Sequence, residues 1–384
     1  MDPYARDLAR WMPRLVAVWR RARRLPEGPS GLTPHEVKEV AAGVRTLSLG
    51  LTRERQLAGA RYMDDPKLLG AYLLFYWPVS YAQGRQVLGE LGTRARSALD
   101  LGSGPGALAF AAMDAGAAEV TAADRSKPAL ALARELAAEA DEAIATRDWD
   151  PHRATDLPAS GVDAVLMGHL LNELFGTGEP ALGRRAALVE RALAALRPGG
   201  SVVIIEPALR DTSRELLQLR DMLVRRGFAV RAPCLWRGDC PALVKPSDWC
   251  HAERSWTMPP LLEQLARTAG LHKESLKMSY LVLAPKGEAW AEPPPGRTFR
   301  IVSEPLEGKG RQRFMGCGPE GRMGVALQEK HRTEANGAFF HLQRGDVVAL
   351  TETEPRGDGV ALNERSAVRV IAPAGRAVPR PAVD

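Results

Sequence analysis

Apolar positions change texture twice along the 384-residue chain. Up to about residue 92 they recur at helical spacing: Leu8, Trp11, Leu15, Val18 and Trp19 share one helix face. Pro13 is expected to start this helix, since a proline in a first turn removes no needed donor. Thr33-Pro34-His35-Glu36 has the form of a helix start, with Thr33 as cap and Glu36 completing a capping box. Residues 61–92 carry Tyr72, Phe75, Tyr76, Trp77 and Tyr81. Aromatics at helical spacing are expected in a core; the rival reading is a stacking surface for nucleic acid.

From residue 97 apolar runs of strand length alternate with helical stretches. Strands are expected at 97–101, 118–123, within 141–147, and at 162–167, 201–205 and 278–284. Helices are expected after residue 107, over 184–196 with a stop at Arg197-Pro-Gly-Gly200, and over 209–226. The alternation predicts an α/β fold, a doubly wound Rossmann-like sheet. Glu292-Pro-Pro-Pro-Gly296 reads as a stiff linker. Beyond it, short strands are expected at 298–302, 325–328, 338–342, 347–351 and 368–372, a small β-barrel-like unit resembling an oligonucleotide-binding fold. The expected partition is a helical region over 1–92, an α/β domain over 93–291 with an insertion at 232–260, and a β domain over 298–384.

Composition narrows this picture. A hydrophobic fraction of 45% and a charged fraction of 26% belong to a globular protein. No run of eighteen apolar residues suits a membrane span. A net charge of +6 favours an anionic partner. Residues 1–24 hold seven Arg against two Asp, which fits a solvated basic helix or a partner-binding arm. A mitochondrial leader is also Arg-rich, but no Ser-rich, acid-poor run succeeds it here, so a cytoplasmic location is expected.

The candidate chemistry centres on Ser97–Leu101 and the glycine-rich turn after it. Gly102, Gly104 and Gly106, with Ser103 between them, permit a tight turn and close backbone approach to a ligand. Strand, glycine turn and helix form the ligand-binding corner of an open α/β sheet. Asp124, about twenty residues on, is placed to accept hydrogen bonds from a ribose, with Arg125 beside it. Such an acid serves NAD and S-adenosylmethionine alike. The turn separates them: a dinucleotide fingerprint is G-x-G-x-x-G, whereas Asp100-Leu-Gly-Ser-Gly-Pro-Gly106 resembles the first motif of class I S-adenosylmethionine-dependent methyltransferases. Asp148 and Trp149 are candidates to contact the adenine. After the fourth strand stand His169, Asn172 and Glu173. Asn172 and Glu173 are candidates to orient an acceptor, and His169 to take a proton near neutral pH; the plainer reading is that Asn172 and Glu173 only begin a helix. No Cys nucleophile and no D/N-P-P-Y motif stands there.

The chain has four cysteines, Cys234, Cys240, Cys250 and Cys317, with five, nine and sixty-six residues between them. The first three lie in a stretch rich in Pro, Gly and Trp, which needs something other than a regular core to order it. Four thiolates suit zinc or an iron–sulfur cluster. Zinc sites favour closer pairs than these, and the spacing leaves the metal open.

From about Arg61 to Cys317 the chain is similar to the methyltransferase-like proteins associated with the mitochondrial small ribosomal subunit, and to their bacterial relatives. The resemblance rests on LDLGSGPG at 99–106, ADRS at 123–126, LLNEL at 170–174, APC at 232–234, CP at 240–241, DWCH at 248–251 and SYLVL at 279–283. It implies a [4Fe–4S] cluster on Cys234, Cys240, Cys250 and Cys317. It further implies a role with the small ribosomal subunit and its rRNA, either as a methyltransferase or as an inactive assembly factor. The chain departs from these proteins at Ala252, where they usually carry an aromatic, and after Cys317.

Overall fold

A computed structural model describes residues 4–92, 94–154, 156–288, 290 and 296–379. The N-terminal region is helical: α1 (Ala5–Ala22), α2 (Pro34–Ser48), α3 (Pro66–Ala71) and α4 (Trp77–Gly89). The Thr33 hydroxyl accepts from the Glu36 amide and the Glu36 carboxylate accepts from the Thr33 amide, so the expected capping box starts α2. Trp11, Trp77, Tyr81 and Phe110 pack edge-on or stacked in one buried group, which bears out the core reading for those rings.

Two expectations about this region are corrected. Pro13 lies inside α1 rather than at its start. Its missing amide leaves the Ala9 carbonyl free, yet both residues are exposed to water, while Trp11 and Leu15 anchor the helix on its buried face. The arginine-rich start is also no free arm. Arg20 is buried against Glu36 at 2.9 Å, and Arg10, Arg21 and Arg23 pair with Asp114, Glu139 and Glu39.

The central sheet contains β1 (Ser97–Leu101), β2 (Glu119–Asp124), β3 (Ala145–Asp148), β4 (Val162–Gly168), β5 (Leu196–Pro207), β6 (Val230–Ala232), β7 (Ala252–Arg254) and β8 (Leu276–Leu283). Their order is β3-β2-β1-β4-β5-β8-β6, with β7 also paired to β8. The first five are mutually parallel and β8 runs antiparallel to β5. Helices α5 (Ala107–Asp114), α6 (Lys127–Ala140), α7 (Glu179–Ala194), α8 (Arg210–Arg225) and α9 (Pro260–Ala269) accompany these strands. Val165, Met167, Val202 and Ile204 have no exposed surface, as a sheet covered on both faces requires. Arg197-Pro-Gly-Gly200 comes after the end of α7 as expected, but belongs to the irregular start of β5.

The C-terminal unit comprises β9 (Arg297–Ile301), β10 (Leu306–Gly308), β11 (Arg311–Gly318), β12 (Gly321–Gln328), β13 (Val347–Arg356) and β14 (Gly359–Ala372). Pairing runs β11-β12-β14-β13-β9, and β9 returns to β11, closing a five-stranded barrel in which β12 and β14 are parallel. This is the connectivity of an oligonucleotide-binding barrel. Residues 338–342, expected as a strand, form a 3-10 turn instead. Buried Asn336 organises it, donating to the carbonyls of His331 and Asn363 and accepting from the Thr333 amide. The proline linker lies almost wholly at 291–295, outside the described residues.

The three parts meet at one carboxylate. Glu90, at the end of α4, accepts from Arg254 of β7 at 2.8 Å, from the Tyr280 hydroxyl of β8 at 2.7 Å and from the Gly375 amide at 3.2 Å. Arg300 of β9 lies 3.3 Å away. Burial works against this charge, but Arg300 and Arg254 hold its pKa below the usual carboxylate range. Its contribution to stability is present at neutral pH and is lost as pH falls through that lowered value. Glu90→Gln removes the one charge that two buried guanidinium groups share. A urea titration at pH 7 should show a loss of about 3–5 kcal/mol; a loss within the error of the titration would refute this account of the junction.

Candidate functional site

A pocket of about 270 Å³ opens at the carboxyl ends of β1, β2 and β4, close to the lower end of small-molecule sites, about 300 Å³. The turn after β1 forms its floor. Gly102 and Gly104 have φ of +68° and +53°, and a Cβ on Gly102 would stand 2.5 Å from a Leu170 methyl. Asp124 closes the corner, accepting from the Gly104 and Ser126 amides at 2.8 Å each. Burial raises its pKa in spite of these donors. Ser126 caps α6 with its hydroxyl, so the ADRS segment fixes both the acid and the next helix.

Of the residues expected at a cofactor site, Gly102, Asp124, Arg125 and Trp149 line this pocket, together with His169, Asn172 and Glu173. Asp100, Ser103, Gly104, Gly106 and Asp148 do not. Asp100 is buried behind the turn and accepts from the Ala109 amide at 2.9 Å; burial pushes its pKa up to about 8. Asp148 is exposed and 3.4 Å from Lys127. Trp149 is buried and donates to the Asp156 carbonyl. Gly104 is screened by Met63: a Cβ there would stand 3.0 Å from its terminal methyl.

The sequence reading missed that the N-terminal region forms the pocket's other wall. Tyr62, Met63, Tyr72 and Tyr76 line it. Tyr72 and Tyr76 therefore depart from the core reading of their neighbours. Arg125 ties this wall down by donating to the Gly59 and Ala60 carbonyls at 2.7 and 2.8 Å. Lys273 also lines the pocket, with a pKa lowered to about 8 by burial. The aromatic run at 72–81 was the available signal for the wall; Lys273 had none.

The residues after β4 are held by the protein itself. Asn172 donates to Glu206 at 2.6 Å and to the His169 carbonyl at 3.0 Å, and accepts from Arg55 at 2.8 Å. His169 has a φ of +56°, and its Nε2 lies 2.9 Å from the Gln83 side-chain oxygen. The Gln83 amide nitrogen donates to the Lys277 carbonyl, so the histidine is the donor in that pair. Burial, and then Lys273, lower its pKa to about 4. The expectation that His169 takes a proton near neutral pH is thus corrected. Glu173 accepts from the Gly59 amide and the Tyr62 hydroxyl, and burial raises its pKa to about 7.

A second cavity of about 70 Å³ lies between β8, the insertion and the barrel, and all four cysteines line it. None is in a disulfide. Among the described residues, no three His, Cys, Asp or Glu side chains stand as a ready metal site. The insertion is ordered by α8. Arg214 donates to the carbonyls of Ala242, Leu243, Lys245 and Asp248, and Arg220 to those of Trp236 and Gly238. Sequence reasoning gave only a helix over 209–226 and missed this lacing, because the carbonyls these arginines meet lie up to 34 residues further along the chain. His251 of the DWCH segment stacks on Trp249 and meets Arg344. Among the described residues no helix is long and apolar enough to cross a membrane.

The parallel sheet with its antiparallel β8, and a pocket at the glycine turn, define a methyltransferase-like α/β protein. Solved structures similar to this chain share that fold. They include a ribosomal protein L11 methylase from Lactobacillus delbrueckii subsp. bulgaricus (17% identity, 54% of this chain and 77% of that one, TM-score 0.33). Others are an O-methyltransferase family protein from Burkholderia thailandensis (16%, 62% and 65%, 0.37) and TrmN from Thermus thermophilus (21%, 54% and 48%, 0.32). Within that class the chain belongs to the Rsm22 family, described as mitochondrial small ribosomal subunit Rsm22, whose family model matches residues 68–347. No curated protein matches the chain.

The raised pKa of Glu173 has a testable sign. Its folded-state value exceeds the unfolded one, so the folded protein binds the extra proton and stability falls as pH rises from about 4.5 to about 7. Glu173→Gln removes that dependence. Its melting temperature should gain on the parent protein between pH 5 and pH 8; an equal difference at both values would show that the carboxyl does not titrate in this range.

Proposed function

We propose that this protein binds S-adenosylmethionine at the β1 turn and acts on or with the small ribosomal subunit, methylating its rRNA or one of its proteins. The carrying observation is the gathering of Gly102, Asp124, Arg125 and Trp149 around one pocket at the carboxyl ends of β1 and β2. Asp124 would meet the ribose hydroxyls and Trp149 the adenine, with Asp100 and the remaining turn glycines shaping the corner from behind. Membership of the Rsm22 family supports the ribosomal partner. The proposal treats the helical region, the α/β domain and the barrel as three domains, and places the protein in the cytoplasm.

A second reading, a catalytically inactive assembly factor that keeps the cofactor as a structural or sensory element, is favoured by Asn172 and His169. The polar atoms of the Asn172 side chain are taken by Arg55, Glu206 and the His169 carbonyl, which leaves an acceptor little to engage. Methyl transfer mainly needs alignment of the acceptor, so Glu173 is the remaining candidate to orient one. Calorimetry should show S-adenosylmethionine binding that Gly104→Arg abolishes by filling the turn; tight NAD binding instead would overturn the cofactor. Radiolabelled methyl transfer to immature small subunits then separates the readings: label appearing marks the enzyme, and none with intact binding marks the assembly factor.

The proposal further places a [4Fe–4S] cluster on Cys234, Cys240, Cys250 and Cys317. Its support is that four thiols from two parts of the chain face one small cavity, a donor set suited to iron and sulfide. Such a cluster supplies a redox-active cross-link between the α/β domain and the barrel. Protein purified without oxygen should contain about four iron and four sulfide per chain. Cys234→Ser, Cys240→Ser or Cys250→Ser should lose them and expose the insertion to protease. Stoichiometric zinc without iron would overturn the cluster.

A further inference from the structure

Five arginines around the cysteine cavity share an unusual state. Arg220, Arg254, Arg300, Arg322 and Arg344 each bury an Nε that has no hydrogen-bond partner. The first three side chains are 1%, 3% and 8% exposed, deep enough that an unmade donor carries its full desolvation cost. Their charges are incompletely matched as well. Arg220 pairs with Asp221, Arg254 and Arg300 share Glu90, Arg322 pairs with Asp248 and Arg344 with Glu304, so five guanidinium groups face four carboxylates. The strand register aims this surplus at the thiols. Cys317 on β11 stands opposite Arg322 on β12 and opposite Arg300 on β9.

A cavity walled by neutral thiols alone would not repay burying that much positive charge. A four-thiolate [4Fe–4S] group carries a net charge of about −2, and one more after accepting an electron. We propose that these arginines are a built cation shell for such a group, neutralising it on entry and raising its reduction potential. This rests on the reading of the four cysteines as ligands and adds what the surrounding residues do. The shell stabilises the more negative, reduced form more than the oxidised one, because charges interact strongly where water is excluded. It also gives the barrel a second role: beyond Cys317, it brings three of the five cations.

Arg322 is the residue to test. Its one carboxylate partner, Asp248, is a third exposed, so losing the pair leaves no deeply buried orphan charge. Wild type, Arg322→Gln, Arg322→Lys and Asp248→Asn are purified without oxygen, assayed for iron, and titrated with dithionite while spin resonance tracks the reduced signal. The shell predicts a more negative midpoint in Arg322→Gln, a wild-type value in Arg322→Lys, and a more positive midpoint in Asp248→Asn, where the cation is released toward the thiols. Iron lost from Arg322→Gln but kept by Arg322→Lys would equally support it, as a charge needed for retention. One midpoint for all four proteins with iron intact overturns the shell and leaves the cluster standing. Wild-type protein without iron overturns the cluster itself, and the shell with it.

Discussion

The structure depends on a buried negative charge. Two arginines cannot be taken out of water around a cavity without an anion, and Glu90 is the anion both of them reach. Its position at the end of α4 draws the helical region against the edge of the sheet, and its contacts with Tyr280 and Gly375 bring in β8 and the chain beyond the barrel. A hydrophobic interface of this size would tolerate sliding. A carboxylate with four partners in fixed directions does not, so the cysteine cavity has one shape.

The same logic of fixed polar partners governs the pocket at the glycine turn. Arg125 spends its guanidinium on two backbone carbonyls of the segment that crosses the turn, and Glu173 receives that segment's Gly59 amide from the other side. The wall facing the turn is therefore held by residues of the Rossmann-like sheet itself. Any ligand of this pocket would enter a site whose two halves are already joined, with Met63 directly over Gly104.

Much of this was legible in the sequence where one element decides its own structure. The capping box, the β1 turn and the parallel strands follow from local chemistry and from apolar runs covered on both faces. What escaped was set by partners far along the chain. β11 reads as a turn-rich segment, Arg-Gln-Arg-Phe-Met-Gly-Cys-Gly, yet pairs on both sides because the barrel closes through it. Arg214 and Arg220 drew no notice in the sequence, because the carbonyls they meet belong to the insertion that follows. Asn172 and His169 looked available because nothing nearby announces Arg55, Glu206 or Gln83 as their partners. The cysteines were found as residues, and the arginines around them were not.

Closure of the barrel has a consequence for the order of events during synthesis. β9 meets β11 early in the chain's last quarter, but the strands that complete the barrel, β13 and β14, emerge near its end, and the Glu90–Gly375 contact spans 285 residues. A ribosome making this protein must release the segment around Gly375 before the junction can lock. Until then three of the cysteines sit on an insertion held by α8 and β8 but not covered by the barrel. The cavity is finished only once β14 has been made, in one step of high contact order, and a nascent chain stalled short of β14 would carry the four cysteines without the enclosure.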